Sequence, residues 1–381
     1  MKRIAALLML PVLLFAISGC SNHQDSDISN RVVLQGIGVD YEAGQYILTV
    51  QVFNLSQASP SGVETSENVT TLYTTRGRTV SEAINGIRQF VGKNPMFSHN
   101  RVLIVSEAAA ETGISNILDY FIRDYSTRPS IDFAVTRGRA ADILSADFGD
   151  ATIPAEEIAR MLESQSKKAR VQVLNIVNRY IEPGIDATAP CLEIVKDEPK
   201  DGTGVRVSDV AILRDDKICG YLDAMQSQMT LLLNGSIKNN NLDLPIPEFG
   251  NVGLYFVSCD ADYDVGLNGD RPYANVKISA RFDINEIQNG PQVLDEEEIE
   301  TIRQAIRKYL EESCSQVLDV LMREYRSDVV GFGRRMMMKE PEYFKSVSDH
   351  WSDILPQMAV SVAMDVEIRR VGHESIRLGG Q

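Results

Sequence analysis

The chain has 381 residues, 44% of them hydrophobic and 24% charged, which is enough apolar material for sizeable cores without metals or cross-links and excludes global disorder. Lys and Arg number 38 against 53 Asp and Glu, a formal net charge of −15. Such a surface repels phosphate backbones and anionic headgroups, which argues against a nucleic-acid partner and against membrane attachment through a basic patch.

Lys2 and Arg3 open the chain, followed by an apolar run from Ile4 to Ile17 and then Ser18-Gly19-Cys20. The run is too short for an ordinary span of about 20 residues and has the form of an export leader. Two readings are open: an ordinary cleaved signal peptide with Cys20 incidental, or a lipoprotein signal. Ile17-Ser18-Gly19-Cys20 matches a lipobox, in which small residues admit the peptidase and the Cys thiolate takes a diacylglycerol at the bilayer surface. The second reading is the stronger. It makes residues 1–19 a signal peptide, with Cys20 the S-acylated (and, after cleavage following Gly19, N-acylated) first residue of the mature chain. Loss of Lys2 and Arg3 brings the net charge to −17. Two acyl chains anchor stably where one is marginal. Residues 20–29, polar and apolar-poor, read as a tether.

The body begins with two strands, Arg31–Asp40 and Gln45–Phe53, joined by a Gly-containing turn as a hairpin. Asn54–Glu67 reads as a loop and Thr70–Thr75 as a strand. Thr79–Phe90 carries Val80, Ala83, Ile84, Ile87 and Phe90 at helical spacing. Arg101–Ser106 is a buried-strand pattern, Glu111–Asp124 a helix, Ile131–Thr136 a strand and Arg139–Ala146 a short helix. From Ile153 the pattern predicts one long helix to about Tyr180, with Pro154 in its first turn and Pro183-Gly184 beyond its end. Residues 30–196 thus read as a mixed α/β domain.

Asp197–Gly204 is rich in turn formers and marks a boundary. Val205–Leu213, Lys217–Leu222 and Met229–Leu233 then read as short strands of a β-rich middle domain, 197–250. The last unit, 251–381, combines strands at Leu254–Val265 and Ala274–Ile287 with a long helix from Asp295 to about Arg326. Asp295 and Glu298 form a capping-box-like start to that helix. Met358, Val360, Val362, Met364, Val366 and Ile368 alternate as a half-buried final strand. The fold class expected is α+β, with three mixed domains, the last an antiparallel sheet with a long helix.

Chemical motifs are scarce. Besides Cys20 the cysteines are Cys191, Cys219, Cys259 and Cys314, 28, 40 and 55 residues apart, without zinc-ligand or redox-pair spacing. Disulfides are compatible with a location outside the cell; burial as small hydrophobes is the stronger reading. His99, before a strand, reads as a backbone-bonded histidine rather than a general base. Asp260, Asp262 and Asp264 fail the calcium-loop pattern, since Val265 and Arg271 stand where its Gly and Glu belong, and read as the wet face of a strand. Gly36-x-Gly38, Gly202-x-Gly204 and Gly331-x-Gly333 each lack the third glycine of a dinucleotide loop. Arg334 to Lys339, with three Met, is the one basic and polarizable cluster; contact with a partner or with headgroups is one reading, and a helix that packs its Met residues inward is the stronger. Trp351 reads as a core anchor. No metal site, cofactor site or nucleophile–base constellation is visible.

Several segments together carry a family resemblance. Gly36-Ile37-Gly38-Val39-Asp40 precedes the strand Leu48–Val52, and Arg76-Gly77-Arg78-Thr79-Val80 opens a helix. Ser98–Glu107, Gly113, Leu118–Asp124 and Lys217–Leu222 follow, and the most specific pieces are Ser327–Gly333, Pro341, Trp351 and Val366–Gly372. In this order behind a lipobox, the chain resembles the Ger(x)C family, the lipoprotein C subunits of bacterial spore nutrient-germinant receptors. One departure is Ser21-Asn22 where the family usually carries Trp-Asp after the acylated Cys. The resemblance implies a three-domain, non-enzymatic protein on the outer face of the cytoplasmic (spore inner) membrane, assembled with integral-membrane receptor subunits to start germination in response to nutrients. It also implies tight-turn roles for Gly36, Gly331 and Gly333, and transfers no ligand-binding residue. The rival functions are a solute-binding lipoprotein of a transporter, a class built from two similar lobes about a hinge, and an extracytoplasmic hydrolase.

Overall fold

The computed structural model describes residues 31–53, 70–124, 126–148, 153–164, 170–197, 202–289 and 294–371. The leader, Cys20, the tether and the expected loop at 54–67 lie outside these.

Two sheets organise the chain. The first begins with β1 (Arg31–Glu42) and β2 (Gln45–Phe53), an antiparallel hairpin whose two-residue turn places Ala43 and Gly44 at φ 51 and 79, the backbone that matches strand twist. β3 (Thr70–Gly77) adds to the β2 edge. On the other side of β1, β4 (Asn94–Met96) and β5 (Val102–Ser106) pair parallel to it, and β6 (Asp132–Thr136) follows parallel to β5. All five residues of β5 and of β6 are buried. That is the mark of strands covered on both faces.

The covering helices reflect the same alternation. Leu103, Val105, Phe133 and Val135 face α1 (Val80–Val91), α2 (Glu107–Ala110), α3 (Ile114–Arg123) and α6 (Val173–Ile181). Val102, Ile104 and Ala134 face α4 (Ala140–Leu144) and α5 (Pro154–Ser164). α1 starts where Thr79 accepts from the Glu82 amide at 3.1 Å. Gly36 is not in a tight turn. It lies in β1, where an added Cβ would come within 2.7 Å of Ala155 Cβ, so the missing side chain lets α5 settle on the sheet.

The long helix expected over 153–180 is two helices. Just before α6 the chain is drawn onto strand β6: the Phe133 amide donates to Val171 O at 2.8 Å, and Gln172 bridges Asp132. A Gln172–Asn175 capping box then restarts the helix.

The sheet continues through β7 (Ala187–Asp197), β8 (Gly202–Arg214) and β9 (Lys217–Leu222), giving the order β3-β2-β1-β5-β6-β7-β8-β9 with β4 beside β1. Ala211 and Leu213 of β8 belong to the first core, whereas Ile212 and Leu222 belong to a second. The expected strand Met229–Leu233 is helical, the end of α7 (Ala224–Leu233). An Asp223–Gln226 capping box starts that helix, and Met229, Leu232 and Leu233 share one buried face. Residues 202–233 therefore extend the first sheet and supply a helix to the second core.

The second sheet has the order β10-β11-β12-β13: β10 (Asn240–Ile246), β11 (Gly250–Asn268), β12 (Arg271–Ile287) and β13 (Ala359–Val371). The first three are antiparallel, but β13 runs parallel to β12. The cause is the connection. A parallel pair needs a crossover, and α8 (Glu296–Asp319), together with the short helices between it and β13, supplies one, burying Ile302, Ile306, Leu310, Cys314 and Val317. α8 opens on the expected Asp295–Glu298 capping box and ends in a wider π-helical turn, Val320–Glu324. Asp260, Asp262 and Asp264 face outward from β11. Cys191, Cys259 and Cys314 are buried and Cys219 is half-buried, and among the described residues none of the four forms a disulfide.

Candidate functional site

The segment after α8 joins the two sheets. Ser327 and Asp328 are buried, and Asp328 is the centre of a cradle. Its Oδ1 accepts from the amides of Gly331 (2.7 Å) and Phe332 (2.9 Å), and its Oδ2 accepts from the Gly333 amide (2.7 Å) and Trp351 Nε1 (2.9 Å). Three of these donors are the free amides at the start of α9 (Phe332–Lys339), which a carboxylate satisfies both by hydrogen bonds and by its charge at the positive end of the helix. Gly331 stands before that helix at φ 81, a left-handed conformation that favours glycine. Trp351 is held from the other side by the edge of Phe344, with ring centroids 5.5 Å apart. Burial pushes the Asp328 carboxyl up, against the four donors that hold it down.

The first sheet grips this turn through residues 182–186. Asp186 Oδ2 accepts from Ser327 Oγ at 2.7 Å and from the Asp328 amide at 2.8 Å, while the Asp186 amide donates to Asp328 O at 2.9 Å. The Arg334 amide donates to Gly184 O at 2.9 Å, and its guanidinium pairs with Glu182 at 2.7 Å. The two backbones touch here: a Cβ on Gly184 would lie 2.5 Å from the Gly333 carbonyl carbon, and one on Gly333 would lie 2.7 Å from Gly184 Cα. Gly333 is thus a point of close approach rather than a turn residue. A third tie runs from Arg214 Nη1 to Tyr325 O at 2.5 Å, with the Tyr325 ring lying on Gly220.

Burial of Asp186 pushes its pKa from the ordinary 3.8 to about 6, only partly offset by its two donors. Because the folded-state value is raised, the protonated form is favoured by folding. Its stabilisation is complete below pH ~4 and is lost as pH rises through 6. The gap corresponds to about 3 kcal/mol at about 1.4 kcal/mol per pH unit. Urea unfolding of the parent and of Asp186→Asn at pH 4, 5, 6 and 7 should therefore show the parent losing stability relative to the variant by about that amount across the series. Parallel curves for the two proteins would remove Asp186 as the titrating group.

Two clefts flank the junction, of 430 and 1300 Å3. They share a wall made by Ile176, Arg179, Glu182, Ile185, Asp186 and Ala187. The smaller has an apolar side of α3 and α6 residues, with Ile122, Tyr180 and Ile181 exposed at its rim. Among the described residues neither cleft is lined by a histidine or a cysteine, and no group of three or more His, Cys, Asp or Glu is placed to hold a metal ion. No helix among them is long and apolar enough to cross a membrane.

Other sequence-predicted residues fall elsewhere. His99 is exposed on a short turn before β5, and among the described residues its ring makes no hydrogen bond, so the expected backbone contact is not formed. Met336 packs into the second core, Met337 is half-buried, and Met338 is exposed beside the larger cleft. Lys339 pairs with Asp264 at 2.6 Å. Trp351 is buried, as expected. Sequence reasoning missed Arg179, Glu182, Gly184 and Asp186. Its only trace of them was Pro183-Gly184 as a helix stop, because what these residues meet lies more than 140 positions away.

The Ser327–Gly333 turn and its partners sit at the meeting of two domain patterns. Residues 24–194 match the model of the spore germination protein N-terminal domain, and residues 208–372 match that of the spore germination B3/GerAC-like C-terminal domain. The chain belongs to the Ger(x)C family. Family members similar to it include spore germination protein KC of Bacillus subtilis (strain 168), 23% identical over 97% of this chain and 95% of that one. Spore germination protein B3 of the same organism is 22% identical over 94% and 95%. The fold is that of the crystal structure of the GerBC protein, with a TM-score of 0.56 and 19% identity over 87% of this chain and 96% of that one. As a Ger(x)C protein the chain falls among the C subunits of spore germination receptors.

Proposed function

We propose that this Ger(x)C protein is a non-catalytic, lipid-anchored subunit of a spore germinant receptor. Cys20 carries the acyl chains on the outer face of the cytoplasmic (spore inner) membrane. The folded part assembles there with integral-membrane receptor subunits, and the assembly triggers germination in response to nutrients. The observation that carries this reading is family membership over both halves of the chain behind an Ile17–Cys20 lipobox.

Physics supports each part. A surface of net charge −15 does not adhere to anionic lipid, so attachment needs the acyl chains. Tethering turns the meeting with membrane partners into a high-effective-concentration event, in which weak protein contacts suffice.

Affinity purification of the full-length protein from spore inner membranes tests the assembly. Two polytopic receptor subunits should come with it in fixed proportion. Recovery of the lipoprotein alone, or with the permease of an importer, would refute the reading.

A further inference from the structure

The wall between the two clefts carries a guanidinium whose hydrogen-bonding capacity is not filled. Arg179, on α6, has a buried Nη1 with no hydrogen-bond partner. Glu182 is already matched to Arg334 at 2.7 Å, and all four acceptor positions of Asp328 are filled by other donors. Arg335 lines the same 1300 Å3 cleft. Its Nη1 donates to the carbonyls of Val330 (2.7 Å) and Gly331 (2.9 Å), and its guanidinium lies 3.5 Å from the centre of the Tyr263 ring, contacts that leave its charge uncompensated. The remaining cleft arginine, Arg170, pairs with Asp132 and with Glu163 at 3.0 Å, and Asp186 is engaged by Ser327 and the Asp328 amide.

Arg179 and Arg335 have no ion-pair partner among the described residues, and of the two only Arg179 has a buried N–H left without an acceptor; the Asp186 and Asp328 carboxylates, bonded to neutral donors, stay charged nearby. Burial works against the Arg179 charge most strongly; Glu182 and Asp328 favour it, and Arg334 and Arg335 oppose it. A buried charged donor without a partner calls for an unseen anion or water.

We propose that the 1300 Å3 cleft binds a small oxyanion, phosphate or carboxylate, between the guanidiniums of Arg179 and Arg335. The planar guanidinium fork suits either oxyanion, giving short charge-assisted bonds. Asn175, Asn178 and Asn234 on the cleft walls offer amides for the oxygens left over, and the cleft is large enough for an organic body attached to the anion. The site goes beyond the receptor assignment and depends on neither the lipid anchor nor the membrane partners.

The test uses the full-length protein in neutral detergent, titrated with inorganic phosphate or succinate and, at matched ionic strength, with sodium chloride. Thermal midpoints and calorimetry are the readouts. Phosphate, succinate or both should raise the midpoint saturably and chloride should not; which of the two acts identifies the class of oxyanion. Arg179→Gln and Arg335→Gln should each weaken binding about tenfold or more, the loss expected for a charge-assisted hydrogen bond. Arg179→Lys, which keeps the charge but not the fork, should weaken it less. Lys277→Gln, on the exposed face of β12, should leave binding unchanged. If Arg335→Gln does not fold, the Arg179 variants decide the question. Equal stabilisation by chloride, no saturable binding of either probe, or Arg179→Gln binding like the parent would each overturn the proposal and leave Arg179 solvated by water.

Discussion

Asp328→Ala should lower the unfolding free energy by about 3–5 kcal/mol, the range for stripping a buried charged group from its partners. The substitution leaves the amides of Gly331, Phe332 and Gly333 and the indole N–H of Trp351 without their acceptor at a buried position. Each buried unsatisfied donor costs about 1–3 kcal/mol, and some relaxation keeps the total below the simple sum. The damage should spread, because the Asp328 backbone is also what Asp186 holds from the first sheet. Asp328→Asn should be nearly as harmful: one amide oxygen can still serve two donors, but the NH2 group then faces two others. Trp351→Phe, which removes one donor and keeps the ring packing, should cost only about 1–2 kcal/mol. Denaturant unfolding of the three variants would check the order. An Asp328→Ala protein within 1 kcal/mol of the parent would show that the cradle is incidental to folding.

Cys20→Ala should abolish lipid anchoring. Stable attachment rests on two acyl chains bonded to one residue, since a single chain binds a membrane only marginally. Nothing else in the sequence replaces them: the run Ile4–Ile17 is shorter than a span, and the rest of the chain is acidic overall. The variant should lack the diacylglycerol mass by mass spectrometry, leave the membrane pellet, and fail to support germination through this receptor. An unmodified Cys20 in the parent, or a Cys20→Ala protein that stays membrane-bound and supports normal germination, would overturn the anchoring model.

Much of the architecture was legible because short-range periodicity reports burial directly. The β13 alternation, the inner stripe of α8 and the Asp295–Glu298 box appear in the structure as the pattern predicts. Misreadings arose where a distant contact overrode a local pattern. Helical spacing continues across 153–180, yet strand β6 captures Val171 and Gln172 and divides the segment. Met229–Leu233 is an apolar run of the kind that periodicity alone cannot assign to helix or strand; the capping box six residues upstream of Met229 decides it. The direction of β13 also depends on where α8 delivers the chain, which no property of the strand encodes.

For the junction, the Ser327–Gly333 segment could be singled out as specific, but its role could not. Asp328 is one of 53 acidic residues until the fold brings three amides and an indole to it. Arg179 is an ordinary helix arginine until folding brings Arg334 and Arg335 into the same cleft.

The amino-acid order by itself determined the apolar faces, the helix starts, the acidic surface and the acylation motif, because each depends on neighbours within a few positions. Tertiary structure alone decided which glycine meets which backbone, which carboxylate is buried among donors and which guanidinium is left unmatched. The Asp328 donors lie 3 to 23 positions from it, but the ties that lock the turn to the first sheet join groups 141 and 142 positions apart, which only folding brings within hydrogen-bond reach.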